Sequence, residues 1–357
     1  MQKTYFFLIF CLCCSLQSRA GDFLATYKHL TTISVEDLQK RWKSKGLPEF
    51  LMPIHNGIEV YDIDYYTKWH DGSKIKASGL YLVPAGVKKA MPQVIYHHGT
   101  SVKKERNMGF NGEETLCYFF ASDGYAVVMP DYIGLGRGEK RHLYQHADSE
   151  AQAAIDLLEA VNELNKTLNV SANGQLFLTG YSQGGHSAMA THIKLQKEYK
   201  GKYAVTASSP MSGAYMMTGP QSETMFRPYG QPHYLPYLLS SYQEAYHIID
   251  GELDSIYRPP YNKRISVWYS GIYQHYQIND SLPKIPANMI KDEIVQEYKN
   301  NPNFPFRVRL GENNVHDWKP EAPVQLCYCK SDEEVNYKNS LIAHEAMTKK
   351  GAKHVRK

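Results

Sequence analysis

The chain has 357 residues, of which 43% are hydrophobic, so it can bury a large core in one enlarged domain or in two small ones. Its formal net charge is only +4, and its lysine and arginine residues are scattered along the sequence rather than clustered. Because a nucleic-acid groove needs a basic patch, we expect no nucleic-acid partner.

The first 20 residues have the pattern of a secretory signal peptide. Lys3 gives a positive start, and residues 5–16 form an apolar run. Ser18 and Ala20 are small residues at the −3 and −1 positions of a cleavage site after Ala20. The run is shorter than the roughly 20 residues that cross a bilayer, so we expect no stable membrane span. The pattern predicts a protein that is secreted or periplasmic (extracytoplasmic).

The six cysteines do not indicate a disulfide framework, because the mature chain keeps an odd number of them. Cys327 and Cys329 would lie on one face of a strand, which is a poor geometry for a bond between them. We interpret both as small buried residues, and one link to Cys117 remains open. A lipoprotein anchor is an alternative for the three cysteines of the signal, Cys11, Cys13 and Cys14.

From residue 34 onward, helical and strand patterns alternate. A capping box at Ser34–Asp37 predicts a helix to about residue 45, ended by Pro48. Two alternating segments, 58–67 and 74–83, predict an antiparallel hairpin at a sheet edge. Further strands are expected at 94–96, 125–129, 176–179, 204–208 and 324–328, and helices at 113–121, 148–166, 186–197 and 336–349. This order predicts an α/β fold, with a mostly parallel sheet covered by helices on both faces.

Residues 214–320 interrupt this alternation. They are rich in tyrosine and proline, with helices expected near 236–250 and 264–277. We interpret them as a cap inserted between two core strands and folded over the site; a separate domain is the alternative. The tyrosines favour a substrate with an apolar or aromatic acyl group, although they could equally be packing residues of the cap.

A G-x-S-x-G pattern, Gly180 to Gly184, stands between the strand at 176–179 and the following helix. In that context it predicts a nucleophile elbow, a sharp turn that lifts the Ser182 hydroxyl clear of the sheet. Such a turn tolerates little bulk two residues to either side, and the helix N-terminus favours developing negative charge. The alternative is a turn serine with no part in catalysis.

Five motifs together resemble the α/β-hydrolase superfamily, and more narrowly its secreted lipase and esterase branch. They occur in the order of that family: 77–84, 97–100, 124–136, 180–185 and 331–335. The resemblance covers the chain from about residue 58. It implies a hydrolase domain over 21–357 with its cap at about 214–320, and cleavage of small-molecule carboxylic esters without a cofactor or metal.

The resemblance also implies roles for individual residues. Ser182 would be the nucleophile and Asp332 the acid of the triad, with Glu333 as the main rival. The oxyanion hole would use the backbone N–H groups of Thr100 and Gln183. Four nearby residues are expected to have supporting roles: His97 and His98 as loop residues that fix the backbone, Asp131 as a loop holder through local hydrogen bonds, and His186 as a packing residue.

The triad histidine is not found by this pattern. The family carries it in a loop after the last strand, whereas residues 353–355 read as the start of that strand. His316, His344 and His354 each fit poorly, so we predict that the C-terminal strand and its histidine are missing from this sequence, which would impair activity. Two other functions stay open: a serine peptidase of the prolyl-oligopeptidase kind, which lacks room for its β-propeller here, and a non-catalytic hydrolase fold that binds a ligand under the cap.

Overall fold

The computed structural model describes residues 22–46, 50, 53–106 and 112–357. The expected signal peptide with its three cysteines, and the helix-ending Pro48, lie outside these residues.

The fold is built on a nine-stranded sheet with the order β1-β2-β3-β5-β4-β6-β7-β8-β9. The strands are β1 (Leu24–Ile33), β2 (Ile58–Lys68), β3 (Lys74–Pro84), β4 (Met91–His97), β5 (Ala126–Pro130), β6 (Ala172–Tyr181), β7 (Val205–Met211), β8 (Val324–Gln325) and β9 (Val355–Arg356). Strands β1, β2, β3 and β5 pair antiparallel with one another, and every other pair is parallel. The predicted α/β class with a mostly parallel sheet is therefore confirmed.

The prediction that the β2–β3 hairpin forms the sheet edge is wrong, because β1 pairs with β2 on its outer side. Only Leu24 and Ile33, at the two ends of β1, are buried. The strand therefore lacks the alternation of apolar and polar residues by which a half-buried strand is recognised.

Helices cover both faces of the sheet. They are α1 (Val35–Lys43), α2 (Glu114–Ser122), α3 (Ala147–Leu168), α4 (Gln183–Glu198), α5 (Tyr234–Tyr246), α6 (Ile265–Trp268), α7 (His275–Asn279), α8 (Asp292–Asn300), α9 (Pro305–Glu312) and α10 (Lys338–Lys349). One core cluster joins α1 and α2 to one face, and another joins α3 and α4 to the opposite face. None of the helices in the described part of the chain is long and apolar enough to cross a membrane.

The sheet thins toward its C-terminal edge. Strand β8 has two residues plus an isolated bridge between Met211 and Cys327, against the five residues predicted. The predicted start of a last strand is present as the two-residue β9, which pairs with β8. All three cysteines of the described chain are free thiols, so neither Cys327 nor Cys329 is linked to Cys117. Cys327 is only half-buried and Cys329 is exposed, so the predicted burial of both is wrong.

The segment between β7 and β8, residues 212–323, carries helices α5 to α9 and supplies most of one hydrophobic cluster. We call it the cap segment. It also contains four short 3₁₀ turns, at Ser222–Phe226, Leu253–Ile256, Tyr261–Lys263 and Pro286–Met289. The helix predicted near 264–277 is two short helices, α6 and α7, separated at Gly271, whose φ of 87° does not continue a helix.

Candidate active site

Ser182 stands at a sharp turn between β6 and α4. Its φ of 58° and ψ of −117° lie in a region that non-glycine residues seldom occupy. The Ser182 N–H donates to the Met211 carbonyl at 3.0 Å, which ties the turn to β7. A Cβ at Gly180 or at Gly184 would overlap the carbonyl oxygen of His97. The elbow geometry therefore depends on both glycines of the motif.

The loop after β4 passes beside this turn and is held from several directions. The His98 ring faces two carbonyl oxygens, those of Gly99 at 2.7 Å and of Asp131 at 3.2 Å. The Tyr132 hydroxyl donates to the His98 carbonyl at 2.9 Å, and the Glu113 carboxylate accepts the Gly99 N–H at 3.0 Å. The expectation that His98 fixes the loop is thus confirmed, whereas Tyr132 and Glu113 were not foreseen as its partners.

The backbone N–H groups of Thr100 and Gln183 have no acceptor among the described residues. Both stand where the sequence places an oxyanion hole, one on the held loop and the other at the first position of α4. Two unpaired N–H groups beside a strained serine can donate hydrogen bonds to a developing oxyanion.

Asp131 helps to hold the loop after β4, as expected, whereas the His97 ring forms no hydrogen bond within the described chain. The His97 ring is fully buried, neither of its nitrogens has a partner in the described chain, and burial lowers its pKa to about 3. The Asp131 carboxylate accepts hydrogen bonds from Ser78 Oγ and from Arg106 Nε, both at 2.6 Å, and Arg106 belongs to the loop after β4. Burial raises the pKa of Asp131, but the Arg106 charge outweighs it and the net shift is downward. Asp131 thus holds the loop through both its carbonyl oxygen and its carboxylate.

The loop with the candidate acid lies next to the elbow. Asp332 Oδ1 accepts the N–H groups of Glu334 and Val335, each at 2.9 Å, which leaves Oδ2 for another donor. Burial, followed by the charges of Asp332 and Glu334, raises the pKa of Tyr181, the residue before Ser182. Glu333, the other candidate for the triad acid, is exposed, whereas Asp332 is half-buried.

No imidazole reaches Ser182. All 15 histidines of the sequence fall in the described ranges, and none of them forms a hydrogen bond with the Ser182 hydroxyl. His354 precedes β9, at the amino end of a strand that runs parallel to its neighbours, whereas Ser182 follows the carboxyl end of β6. His344 lies within α10, and His316 stands beside Tyr215.

Comparison with known proteins shows which family the chain resembles. The model of the secretory lipase family matches residues 106–215. A Legionella pneumophila protein provisionally assigned as a hydrolase is 31% identical, with 94% of this chain and 90% of that chain covered and a TM-score of 0.85. The chain belongs to the α/β-hydrolase superfamily, in its lipase and esterase branch.

Two further structures resemble this hydrolase. The rice cell wall degrading esterase LipA from Xanthomonas oryzae is 27% identical, with 93% of this chain and 89% of that chain covered and a TM-score of 0.84. Candida antarctica lipase A in its closed state shares the fold at 14% identity, with 93% and 75% covered and a TM-score of 0.67. None of the curated proteins compared with the hydrolase matches it significantly.

Glu334 connects the cap segment of the hydrolase to the loop that carries Asp332, which we call the acid loop. Its carboxylate accepts hydrogen bonds from Gln231 at 2.8 Å and from the Tyr234 hydroxyl at 3.0 Å. Its carbonyl oxygen accepts from the Tyr229 hydroxyl at 2.6 Å and from Gln221 at 3.2 Å. Four cap side chains therefore meet two residues beyond Asp332. Sequence reasoning missed this contact, because it treated the acidic run only as a choice of triad acid.

His186 is buried, as expected of a packing residue, but it also makes polar contacts that the sequence did not predict. The ring is fully buried, but its Nε2 lies 2.9 Å from the Asn313 carbonyl oxygen and its Nδ1 lies 3.4 Å from Glu150. Glu150 itself went unnoticed in the sequence. The available signal was an acid on the apolar side of α3, one turn before the buried Ala154.

Proposed function

We propose that this α/β-hydrolase is a secreted serine hydrolase that cleaves small-molecule carboxylic esters through an acyl-enzyme on Ser182. The observation that carries the proposal is the strained Ser182 turn flanked by the unpaired N–H groups of Thr100 and Gln183. A serine held in this way serves acyl transfer, in which negative charge develops on the carbonyl oxygen of the substrate.

In the proposed reaction, Ser182 Oγ attacks the ester carbonyl carbon and loses its proton to a base. The oxyanion accepts hydrogen bonds from Thr100 and Gln183. The base then gives this proton to the alcohol oxygen as the ester C–O bond breaks, and water attacks the acyl-enzyme to release the acid and restore the Ser182 hydroxyl. Asp332 would orient the base and stabilise its charged form.

The base is the part that this chain does not supply, since none of its histidines contacts Ser182. A triad without one member retains only about 10³–10⁴-fold catalysis over water, from the oxyanion hole and substrate binding. We therefore expect slow turnover of the 357-residue chain by itself.

The cavity beside Ser182 favours an apolar or aromatic acyl group. Its lining includes Tyr229, Tyr234, Met217, Met225, Leu235 and Leu238, with Ser182 at one side. Tyr237 lies outside this lining and serves packing: its ring stacks between those of Tyr144 and Tyr269, with ring centroids 4.7 and 4.9 Å away. The preference for an apolar acyl group thus rests on the lining of the cavity and not on the tyrosine content as such.

Secretion is part of the proposal. The signal pattern with cleavage near Ala20 supports it, as does the match to a family described as secretory.

A second function, ligand binding without catalysis, is favoured by the lack of an imidazole at Ser182. It would use the same cavity and would need neither the oxyanion donors nor Asp332.

Added imidazole separates the two functions. We expect imidazole to accelerate hydrolysis of p-nitrophenyl butyrate by the wild type about 10²-fold more than by Ser182→Ala, since general bases typically contribute about 10²–10⁴-fold. The Ser182→Ala reaction with imidazole is the matched control for hydrolysis by imidazole itself. Equal rates for the two proteins would favour the binding function. Proline p-nitroanilides, assayed in parallel, test the peptidase alternative, and we expect no turnover of them.

A further inference from the structure

A cluster of polar side chains is buried directly behind the elbow. We call it the Glu150 cluster, and its members are Glu150, His142, Gln183, His186 and Ser187. All five are at least nine-tenths buried. They come from α3, from the loop before α3 and from the first turns of α4.

The Glu150 carboxylate accepts hydrogen bonds from the donors that surround it. Its Oε1 accepts hydrogen bonds from the Gln145 N–H at 2.9 Å and from Gln183 Nε2 at 2.6 Å. Oε2 takes the Ser187 hydroxyl at 2.5 Å and faces His186 Nδ1 at 3.4 Å. Burial raises the pKa of Glu150, but the hydrogen bond and charge of His186 outweigh it and the net shift is downward. The group is therefore a buried carboxylate, which has four hydrogen-bond sites for these donors.

The Gln183 side chain is held from two sides. Its Nε2 donates to Glu150 and also to His142 Nε2, at 2.7 Å. His142 Nδ1 lies 3.0 Å from the Ile133 carbonyl oxygen, so Nδ1 carries the proton and Nε2 is free to accept. Burial lowers the pKa of His142 to about 4, which keeps the ring neutral near pH 7.

These contacts act on the residue after the nucleophile. Gln183 begins α4, and its own N–H has no acceptor among the described residues. Ser187 adds a second link, because its hydroxyl also lies 3.0 Å from the Gln183 carbonyl oxygen. Side chain and carbonyl of Gln183 are both held, which limits the movement of the residue that carries this N–H.

We propose that Glu150 is a positioning residue of the oxyanion hole, whose carboxylate holds Gln183 so that its backbone N–H meets the substrate oxyanion. This inference rests on the proposed function, since only there does that N–H take part in a reaction. Its effect belongs to the transition state, so it should appear in kcat and not in KM.

The kinetic test uses Glu150→Ala and Glu150→Gln in the imidazole-supplemented assay. Glu150→Ala should lower the Ser182-dependent kcat about 10²-fold, the size that a misplacement of about 1 Å can cause, with KM within about twofold. Glu150→Gln should recover about tenfold of that loss, because its amide oxygen can still accept from Gln183. A wild-type kcat in Glu150→Ala would overturn the inference, as would a loss confined to KM.

The matched control is Asp156→Asn on the same helix. Asp156 is also buried and accepts two side-chain hydrogen bonds, from Thr67 at 2.7 Å and Gln152 at 2.8 Å. It contacts β2 and not α4, so its replacement should leave kcat within about twofold of the wild type. An equal fall of kcat in Asp156→Asn would mean that any lost acid in α3 has this effect, and would contradict positioning by Glu150.

Amide hydrogen exchange tests the contact between Glu150 and Gln183 without a measurement of enzyme activity. In Glu150→Ala, amides of residues 178–190 should exchange about tenfold faster or more, while those of β2 and β3 keep their wild-type rates. Unchanged exchange at 178–190 would overturn the inference even if the protein hydrolyses esters. The wild type could lack Ser182-dependent activity while Glu150→Ala still exchanges faster. That result would contradict the proposed function but would support the contact between Glu150 and Gln183.

Discussion

Gly184→Ala is expected to lower the free energy of unfolding by about 3 kcal/mol, at the upper end of what overpacking usually costs. A Cβ at this position would overlap the His97 carbonyl oxygen and lie 2.8 Å from that of His98. Both obstacles are backbone atoms at the end of β4, so no side-chain rotation relieves them. The same displacement would move the Thr100 loop, and Ser182-dependent turnover should therefore be lost as well. Urea denaturation of the two proteins measures the change in stability.

Gly311→Ala is the matched control. Gly311 lies in α9, and a Cβ there would meet only Thr218 Cγ2, at 3.8 Å. We expect this substitution to be neutral or to stabilise the protein by up to about 1 kcal/mol, since alanine is the better helix former. Similar stabilities of Gly184→Ala and Gly311→Ala would contradict the close approach of α4 to β4.

Asp131→Asn is expected to cost about 3 kcal/mol of stability. The carboxylate is 5% exposed and pairs with Arg106, which is 15% exposed. Asparagine retains an acceptor for Ser78 Oγ but loses the charge, and an unbalanced buried charge typically costs about 3–5 kcal/mol. Arg106 keeps its ion pair with Asp62 at 3.0 Å, which puts the expectation at the lower end of that range. The midpoint of urea denaturation at pH 7 measures the change.

The control for Asp131 is Asp64→Asn, at the other end of the same group of charges. Asp64 is 29% exposed, and its partner Arg137 is 46% exposed, at 2.6 Å. Exposed pairs of this kind contribute about 1 kcal/mol or less, because water screens them. If the Asp64 variant lost as much stability as the Asp131 variant, burial of the Arg106 pair would not be the reason for its effect.

The parts of the fold that were predicted from sequence are those with a local signal. Helix α3 repeats apolar residues at helical spacing, and the elbow combines two glycines with a strand before it and a helix after it. These patterns reflect forces that act within a few residues, so they are visible in the chain itself. Strand β1 lacks such a signal, since eight of its ten residues are not buried, and its pairing with β2 could not be foreseen.

The contacts that hold the site depend on residues distant in sequence. Glu150 meets Gln183 across 33 positions, and Glu334 meets Tyr234 across 100. Read alone, Gln183, Glu334 and Tyr234 give no sign of these contacts, and the one local signal at Glu150 is its place on the apolar side of α3. Their roles follow only from the layout of the sheet, which brings the loop after β4, the first turn of α4 and the acid loop to one edge. A pattern in the sequence could thus nominate Ser182 and Asp332, but not the residues that hold them in place.

The most direct test of the central claim is labelling by a fluorophosphonate probe in the presence of imidazole, with the labelled peptide identified by mass spectrometry. A fluorophosphonate phosphonylates a serine whose hydroxyl can lose its proton to a base while the phosphoryl oxygen sits in an oxyanion hole. We predict labelling of Ser182 in the wild type and none in Ser182→Ala. No label on Ser182, or equal labelling of the two proteins at another residue, would contradict the account.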